Sequence, residues 1–321
     1  MEHQSVPIIQ STQEGKILSE SPADWKSFQE KFRRQHCVRF PAFIGGELLR
    51  KIQDQVDRAE FLEAKYGTIG TELTMEYNGS LSLLQFLAND PTLFQSVDRI
   101  TGCGRIGCFR GRVYRMIPAS GHYDSWHRDV GRDRKLAMSV NLGRKPYQGG
   151  SLQIRDRVSK RVLHEVHNVG PGDAILFLID DDLQHRITPL EGSVPKTAYA
   201  GWFCSVPEFK SVLKRGKRRL SRKQLGIQVQ DLNIQAKIPR GVAYQRYEGK
   251  TAIIHPETGN ISELDAVGSR LWNLLEETGA LRKVFEVMSR EYDVKPSVLE
   301  KDILQTIQEL TEEGLLEIVR R

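Results

Sequence analysis

Gly170-Pro171-Gly172-Asp173 is a tight-turn sequence, and it feeds the unbroken apolar run Ala174-Ile175-Leu176-Phe177-Leu178-Ile179. A short apolar run bounded by turn formers reads as a buried strand. The same punctuation recurs on both sides. Leu136–Leu142 reads as a strand, and Gly149-Gly150 separates it from Ser151–Ile154. Asp180-Asp181-Asp182 turns the chain, and Thr197–Phe203 follows Lys196 as a further strand. Many short strands between Gly/Pro turns predict a jelly-roll sandwich.

Within this segment the sequence reads Trp126-His127-Arg128-Asp129, and 58 residues after His127 it reads Gln184-His185-Arg186. In extended backbone, residues i and i+2 point the same way. His127 and Asp129 can therefore aim at one metal from a single strand end, with His185 arriving from a later strand. A His-x-Asp pair alone is expected by chance among 8 histidines and 41 acidic residues. Two imidazoles and one carboxylate together make a facial ligand set for iron(II), with three adjacent positions left open.

With the turn and the strands in order around that set, residues 105–205 resemble the double-stranded β-helix of iron(II)/2-oxoglutarate-dependent dioxygenases, of the prolyl-4-hydroxylase-like kind. The GG-x-L element of that family matches Gly149-Gly150-Ser151-Leu152. Its basic residue, six before a strand Trp, matches Lys196 before Trp202, eleven past His185. The resemblance implies iron(II), 2-oxoglutarate and O2 as the reacting set, with His127, Asp129 and His185 as ligands. It also implies that Lys196 pairs with the far carboxylate of 2-oxoglutarate. A tyrosine near the strand before the iron motif, Tyr114 or Tyr123, donates a hydrogen bond to the co-substrate in some relatives, and Tyr114 is the first candidate. Asp129 argues against halogenation, which in this class needs a small residue there. Hydroxylation is the expected outcome, with desaturation or cyclisation open to the same chemistry.

The N-terminal part reads differently. Residues 1–20 are polar and aperiodic, which predicts a loose arm. Asp24–Arg34 has helical spacing, Cys37–Phe40 reads as a strand and Pro41–Ile44 as a turn. Leu48–Ala64 carries apolar and small residues at helical intervals, and Leu81–Phe94 holds one or two more helices. The expected architecture is α+β: helices buttressing a jelly roll within 1–207, a linker over 208–237, and a small C-terminal domain over 238–321.

Composition is that of a globular chain, 39% hydrophobic and 27% charged. No membrane span or signal peptide is legible, and Cys37, Cys103, Cys108 and Cys204 form no CxxC pair, so a cytoplasmic protein with reduced thiols is expected. The formal charge is +6, yet Lys210–Lys223 alone carries eight basic residues and no acid, leaving −2 elsewhere. That block reads as a solvated linker; an acidic peptide or nucleic acid is the other reading.

The C-terminal domain alternates like a hairpin over Val242–Tyr247 and Thr251–His255, turns at Pro256–Asn260, and adds a strand at Ile261–Leu264. Asp265 caps a helix carrying Val267, Leu271, Trp272 and Leu275. A second runs from Leu281 to Tyr292, and a third follows Pro296 with Leu299, Ile303, Ile307 and Leu310, ending at Gly314. Three strands then three helices predict a winged-helix-like module. On Asp265–Trp272 and Asp302–Leu316 it resembles the PqqD-like peptide chaperones of pyrroloquinoline quinone biosynthesis. The resemblance implies capture of a leader peptide as an added strand on the third strand and third helix, here around Ile261, Leu264, Ile303 and Ile307.

An oxygenase joined to a peptide-recognition module is expected to hydroxylate a ribosomally made precursor peptide. Two other readings stay open: a small-molecule or carrier-bound amino-acid hydroxylase whose C-terminal domain makes a homodimer, and a winged-helix regulator sensing 2-oxoglutarate. Glu300, Asp302, Glu309, Glu312 and Glu313 make the third helix a poor phosphate-facing surface, which argues against nucleic acid.

Overall fold

The Gly-Pro-Gly-Asp turn earns its residues in three dimensions. In the computed structural model, which describes residues 7–13, 15–131, 133–167, 170–206, 231–239, 241–247, 249–255 and 257–319, Asp173 is buried. Its Oδ1 accepts the Ala42 amide at 2.8 Å and its Oδ2 accepts Arg39 Nε at 2.9 Å. Gly172 stands at φ +80, and a Cβ there would lie 1.9 Å from the Ile44 carbonyl oxygen. The turn thus ties the apolar strand to the segment at 39–44. Gly172→Ala is expected to destabilise the fold by ~2 kcal/mol or more, from the left-handed backbone and the overlap together. An unchanged denaturant midpoint would refute this role.

The chain divides into two compact units, Met1–Lys214 and Arg215–Arg321. The first opens with a hairpin, β1 (Ile9–Thr12) and β2 (Gly15–Leu18). Helix α1 (Pro22–Gln35) starts at Ser21, whose side chain accepts the Asp24 amide, and stops at His36 in the left-handed region. Strand β3 (Cys37–Phe40), α2 (Gly46–Asp57), β4 (Phe61–Tyr66), β5 (Gly70–Met75), α3 (Gly79–Ala88) and α4 (Pro91–Thr101) follow. The remaining strands are β6 (Cys108–Met116), β7 (Tyr123–His127), β8 (Arg134–Asn141), β9 (Gln148–Gly149), β10 (Leu152–Asp156), β11 (Val162–Val166), β12 (Ala174–Leu178), β13 (Leu183–Ile187), β14 (Leu190–Glu191) and β15 (Lys196–Cys204).

The main sheet runs β11-β10-β13-β7-β5-β6-β15-β8-β12-β3, with β4 added on β5, and its pairings are antiparallel. It curls on itself: Phe177 on β12 meets the His185 ring on β13 at 4.9 Å, although five strands separate them in sheet order. The result is the curled antiparallel half-barrel of a jelly roll. Alternation sorts the long β6–β15 pair into two faces. Phe109, Val113, Tyr199 and Phe203 are buried, and Phe203 meets Phe94 of α4 edge-on at 6.1 Å. Arg112, Tyr114, Met116, Lys196, Ala200 and Trp202 face the cavity on the other side.

Two expectations for this unit are corrected. The first 20 residues are not simply a loose arm: Ile8 and Ile9 are buried, and Lys16 within β2 has a fully buried side chain 3.4 Å from Asp90. The helix expected over Leu48–Ala64 ends at Asp57, and Phe61–Tyr66 is a strand paired with β5 from Phe61↔Met75 to Tyr66↔Gly70. Those residues have no clear period of their own, and cross-strand pairing decides their state.

The second unit holds β16 (Gln235–Lys237), β17 (Ala243–Tyr247), β18 (Lys250–Ile254), β19 (Ile261–Leu264), α5 (Ala266–Thr278), α6 (Leu281–Glu291), α7 (Pro296–Glu312) and β20 (Glu317–Val319). β17-β18-β19 form a meander, and β16 pairs with β20, a small sheet beyond the expected three strands. Asp265 caps α5 by accepting the Gly268 amide at 2.9 Å. Trp272, Tyr244, Ile253, Leu271 and Val284 form the core with Ile303 and Ile307, which are 1% and 0% exposed. The placement of Ile303 and Ile307 in an open peptide groove is therefore corrected: both face inward, and helical spacing alone does not say which apolar stripe is the covered one. Ile261 and Leu264 are half-buried on β19. The basic block Lys210–Lys223 lies outside the described residues. Among the described residues no helix is long and apolar enough to cross a membrane.

Candidate metal centre and its cavity

β7 and β13 are neighbours, and His127 is the cross-strand partner of His185. Their rings stand 4.3 Å apart. Asp129, just past the end of β7, turns back onto both: its Oδ1 is 3.7 Å from His127 Nε2 and its Oδ2 is 3.4 Å from His185 Nε2. One donor atom from each of the three lies within 4.8 Å of the others, the only such cluster among the described residues able to hold a metal ion. The structure thus brings together the His127 and Asp129 that i,i+2 spacing singles out, although the strand ends between them.

The outer partners fix how these ligands point. His127 Nδ1 faces the Ser125 carbonyl at 2.7 Å and Asp124 Oδ1 at 3.2 Å, which turns Nε2 toward the cluster. Burial works against a charge on His127, but Asp124, the Ser125 carbonyl and Asp129 outweigh it and lift its pKa to about 9. Asp129 is buried too, which favours its neutral form; His185, the Trp202 indole and His127 prevail and hold it down to about 2. Trp202 Nε1 donates to Asp129 Oδ2 at 2.7 Å, and the Arg134 guanidinium stacks 3.7 Å from the Trp202 ring. An anionic carboxylate held by an indole N–H, beside an imidazole whose second nitrogen is engaged, is the outer arrangement that a divalent metal requires. The donor set therefore fits iron(II).

The cluster opens on a cavity of about 360 Å³, lined on its apolar side by Met138, Leu152, Ile175 and Phe177. Lys196 lies in the same cavity and is 4% exposed. Its Nζ donates to the Gly150 carbonyl at 2.8 Å. Gly149 and Gly150 both have positive φ, and a Cβ on Gly149 would lie 2.1 Å from the Pro189 carbonyl oxygen. The Gly-Gly pair thus lets the backbone pass close to β14 and present a carbonyl to the lysine. Burial pulls Lys196 down to about 8, with Asp124 and Glu72 pulling the other way. Tyr114 is buried in the cavity wall, and burial pushes its hydroxyl well above the usual range; Tyr123 also lines the cavity but is exposed. Sequence reasoning missed Asp124 as the partner of His127 and Glu72 as a cavity residue, since neither stands in a recognisable pattern.

Comparisons with known proteins agree with this geometry. The model of the 2OG-Fe(II) oxygenase superfamily matches residues 111–204, and that of coenzyme PQQ synthesis protein D (PqqD) matches residues 250–316. A search of curated proteins finds no match. Among solved structures, a prolyl-4-hydroxylase from Pseudomonas putida is similar at 18% identity, covering 56% of this chain and 98% of its own, with a TM-score of 0.44. A 2OG-Fe(II) family oxidoreductase from Burkholderia pseudomallei is similar at 16% identity, with coverages of 58% and 93% and a TM-score of 0.43. TbiB1, solved in complex with the TbiA(β) leader peptide, is similar at 33% identity over 25% of this chain and 94% of its own, with a TM-score of 0.25. The His-Asp-His cluster lies inside the first matched segment and the three helices inside the second, and the chain contains a 2OG-Fe(II) oxygenase superfamily domain and a PqqD domain.

Proposed function

We propose that this protein hydroxylates a residue of a ribosomally made precursor peptide, using iron(II), 2-oxoglutarate and O2. The observation that carries the reading is the His127–Asp129–His185 cluster facing a cavity on the same chain as a PqqD domain. His127, Asp129 and His185 would hold the iron, Lys196 the far carboxylate of 2-oxoglutarate, and Tyr114 a hydrogen bond to it. When bound, the metal and co-substrate supply an oxidant able to place oxygen on an unactivated C–H bond, with succinate and CO2 as by-products. The protein's own part is positional. Asp124 and the Ser125 carbonyl fix the His127 ring, Trp202 fixes Asp129, and the apolar wall of Met138, Ile175 and Phe177 limits water around the reacting groups.

The division of labour follows the chain: residues 1–207 for chemistry, a linker from residue 208, and the C-terminal unit, residues 238–321 together with β16, for capture. β19 pairs with β18 on one side, and no described strand pairs with its other edge. An unpaired edge offers main-chain donors and acceptors to an extended segment, and Ile261 and Leu264 flank it. Covalent attachment raises the local concentration of a captured peptide to the millimolar range, so the core sequence needs little affinity of its own. All four cysteines are free thiols, which suits a cytoplasmic enzyme.

The test is removal of residues 238–321. Each unit has its own core, so the remaining enzyme is expected to keep consuming 2-oxoglutarate without peptide. Turnover of a full-length precursor, chosen from short peptides encoded beside the gene, should drop at least about tenfold at low micromolar concentration. Equal turnover by the truncated and intact enzymes would remove the capture role and favour a small-molecule substrate.

A further inference from the structure

The cavity contains a second polar element apart from the residues proposed to hold metal and co-substrate. Arg112 on β6 donates from Nε to Glu72 Oε1 at 2.7 Å. The same Glu72 oxygen accepts the Tyr66 hydroxyl at 3.2 Å and lies 3.5 Å from Thr74 Oγ1. The Glu72 side chain is 11% exposed, and all of these groups except Thr74 line the cavity that holds His127, Asp129 and His185. Around the guanidinium stand the rings of Tyr66 at 5.0 Å, Tyr114 at 5.8 Å and Trp202 at 5.9 Å. Glu72 thus engages one edge of Arg112 and the aromatic rings bracket it. Neither terminal nitrogen of Arg112 makes a hydrogen bond to a described residue.

Arg112 sits apart from the co-substrate anchor. Its cross-strand partner on β15 is Ala200, and that of Lys196 is Met116. Lys196 and Ala200 are four residues apart on one strand, about 13 Å at ordinary strand rise. Trp202, next on the same inward face, reaches Asp129. The row on β15 therefore runs from the lysine at one end to the Asp129 side of the metal cluster, with Arg112 level with that second end.

We propose that Arg112, oriented by Glu72 and Tyr66, is a specificity-determining residue that takes a carboxylate of the substrate. This inference rests on the dioxygenase reading given above. A guanidinium with its outer fork free in a partly desolvated cavity is matched in shape and charge by a carboxylate, through two parallel charge-assisted hydrogen bonds. The Glu72 contact fixes the plane of the fork while leaving the outer pair of N–H groups for the ligand. Arg112 would then select peptides carrying an acidic residue, or a C-terminal carboxylate, next to the position presented to the metal.

The experiment uses the full chain reconstituted with iron(II), and reads succinate formation with 2-oxoglutarate and N-acetylated tripeptide probes at millimolar concentration. Gly-Asp-Gly and Gly-Glu-Gly amides are compared with Gly-Asn-Gly and Gly-Gln-Gly amides, and Gly-Gly-Gly acid with its amide. The expected result is stimulation by the acidic probes about tenfold or more above their neutral counterparts. The first comparison detects a side-chain carboxylate and the second a terminal one. Arg112→Gln should bring the ratio to about one, and Arg112→Lys should restore part of it through the retained charge. Equal responses from acidic and neutral probes, or no response from any, overturn the proposal. So does a rise in the 2-oxoglutarate KM of Arg112→Gln as large as that of Lys196→Ala, which would make Arg112 a co-substrate anchor. A wild-type protein that forms no succinate even without peptide fails at the underlying dioxygenase reading, a distinguishable outcome.

Discussion

Asp129→Ala is expected to abolish iron-dependent succinate formation while the protein stays folded. Asp129 contacts both imidazoles, at 3.7 Å and 3.4 Å, and it supplies the single carboxylate of the cluster. Changes to outer partners of a metal site already cost roughly 10–100-fold, so losing a direct ligand should exceed that. His127→Ala should behave alike, since its Nε2 is the nitrogen turned to the cluster. The fold should survive both changes, because neither residue belongs to the apolar clusters and Asp129 lies beyond the end of β7. Equilibrium iron binding followed alongside near-ultraviolet circular dichroism separates the two effects. Full 2-oxoglutarate turnover in either reconstituted variant would sink the assignment of the ligands.

Lys196→Ala should raise the 2-oxoglutarate KM by a hundredfold or more, since stranding one member of a buried ion pair costs ~3–5 kcal/mol. The same residue predicts a pH dependence. Burial holds its pKa near 8 in the free cavity, below the ordinary lysine value, so the charge is present below pH 8 and lost above it. Co-substrate affinity is then expected to weaken as pH rises through 8, by up to about tenfold per pH unit, because each bound carboxylate must bring a proton to the amine. Lys196→Arg keeps its charge throughout this range and should remove the alkaline weakening, although its larger head must compete for the space that now brings Nζ within 2.8 Å of the Gly150 carbonyl. A 2-oxoglutarate KM that Lys196→Ala leaves unchanged would transfer the anchor to another cavity cation.

Much of the catalytic unit is legible because its chemistry is local. The run Ala174–Ile179 is apolar throughout since β12 lies between β8 and β3 within the sheet, and the turn before it needs a glycine where φ is positive. His127 and Asp129 are readable because they stand two residues apart at a strand end, where Asp129, just past β7, turns back onto the cluster. Asp265 and Gly279 mark the ends of α5 by the backbone conformations they allow. Where turn or cap residues bound a short apolar run, the sequence by itself settles the element.

Tertiary structure decides what depends on a partner distant in sequence. Phe61–Tyr66 becomes a strand through β5, and β1 with β2 gains order by burying Ile9 and the Lys16 side chain. Ile303 and Ile307 occupy a helical stripe that suits a groove or a core, and the surrounding Trp272 and Val284 make it core. Glu72 and Arg112 are 40 residues apart and carry no shared motif. They meet because antiparallel registry sets β5 against β6 and the curl of the sheet turns that face inward. Such a pair costs desolvation unless a third group or a ligand completes it. That is a property of the enclosed space, which no single stretch of the chain contains.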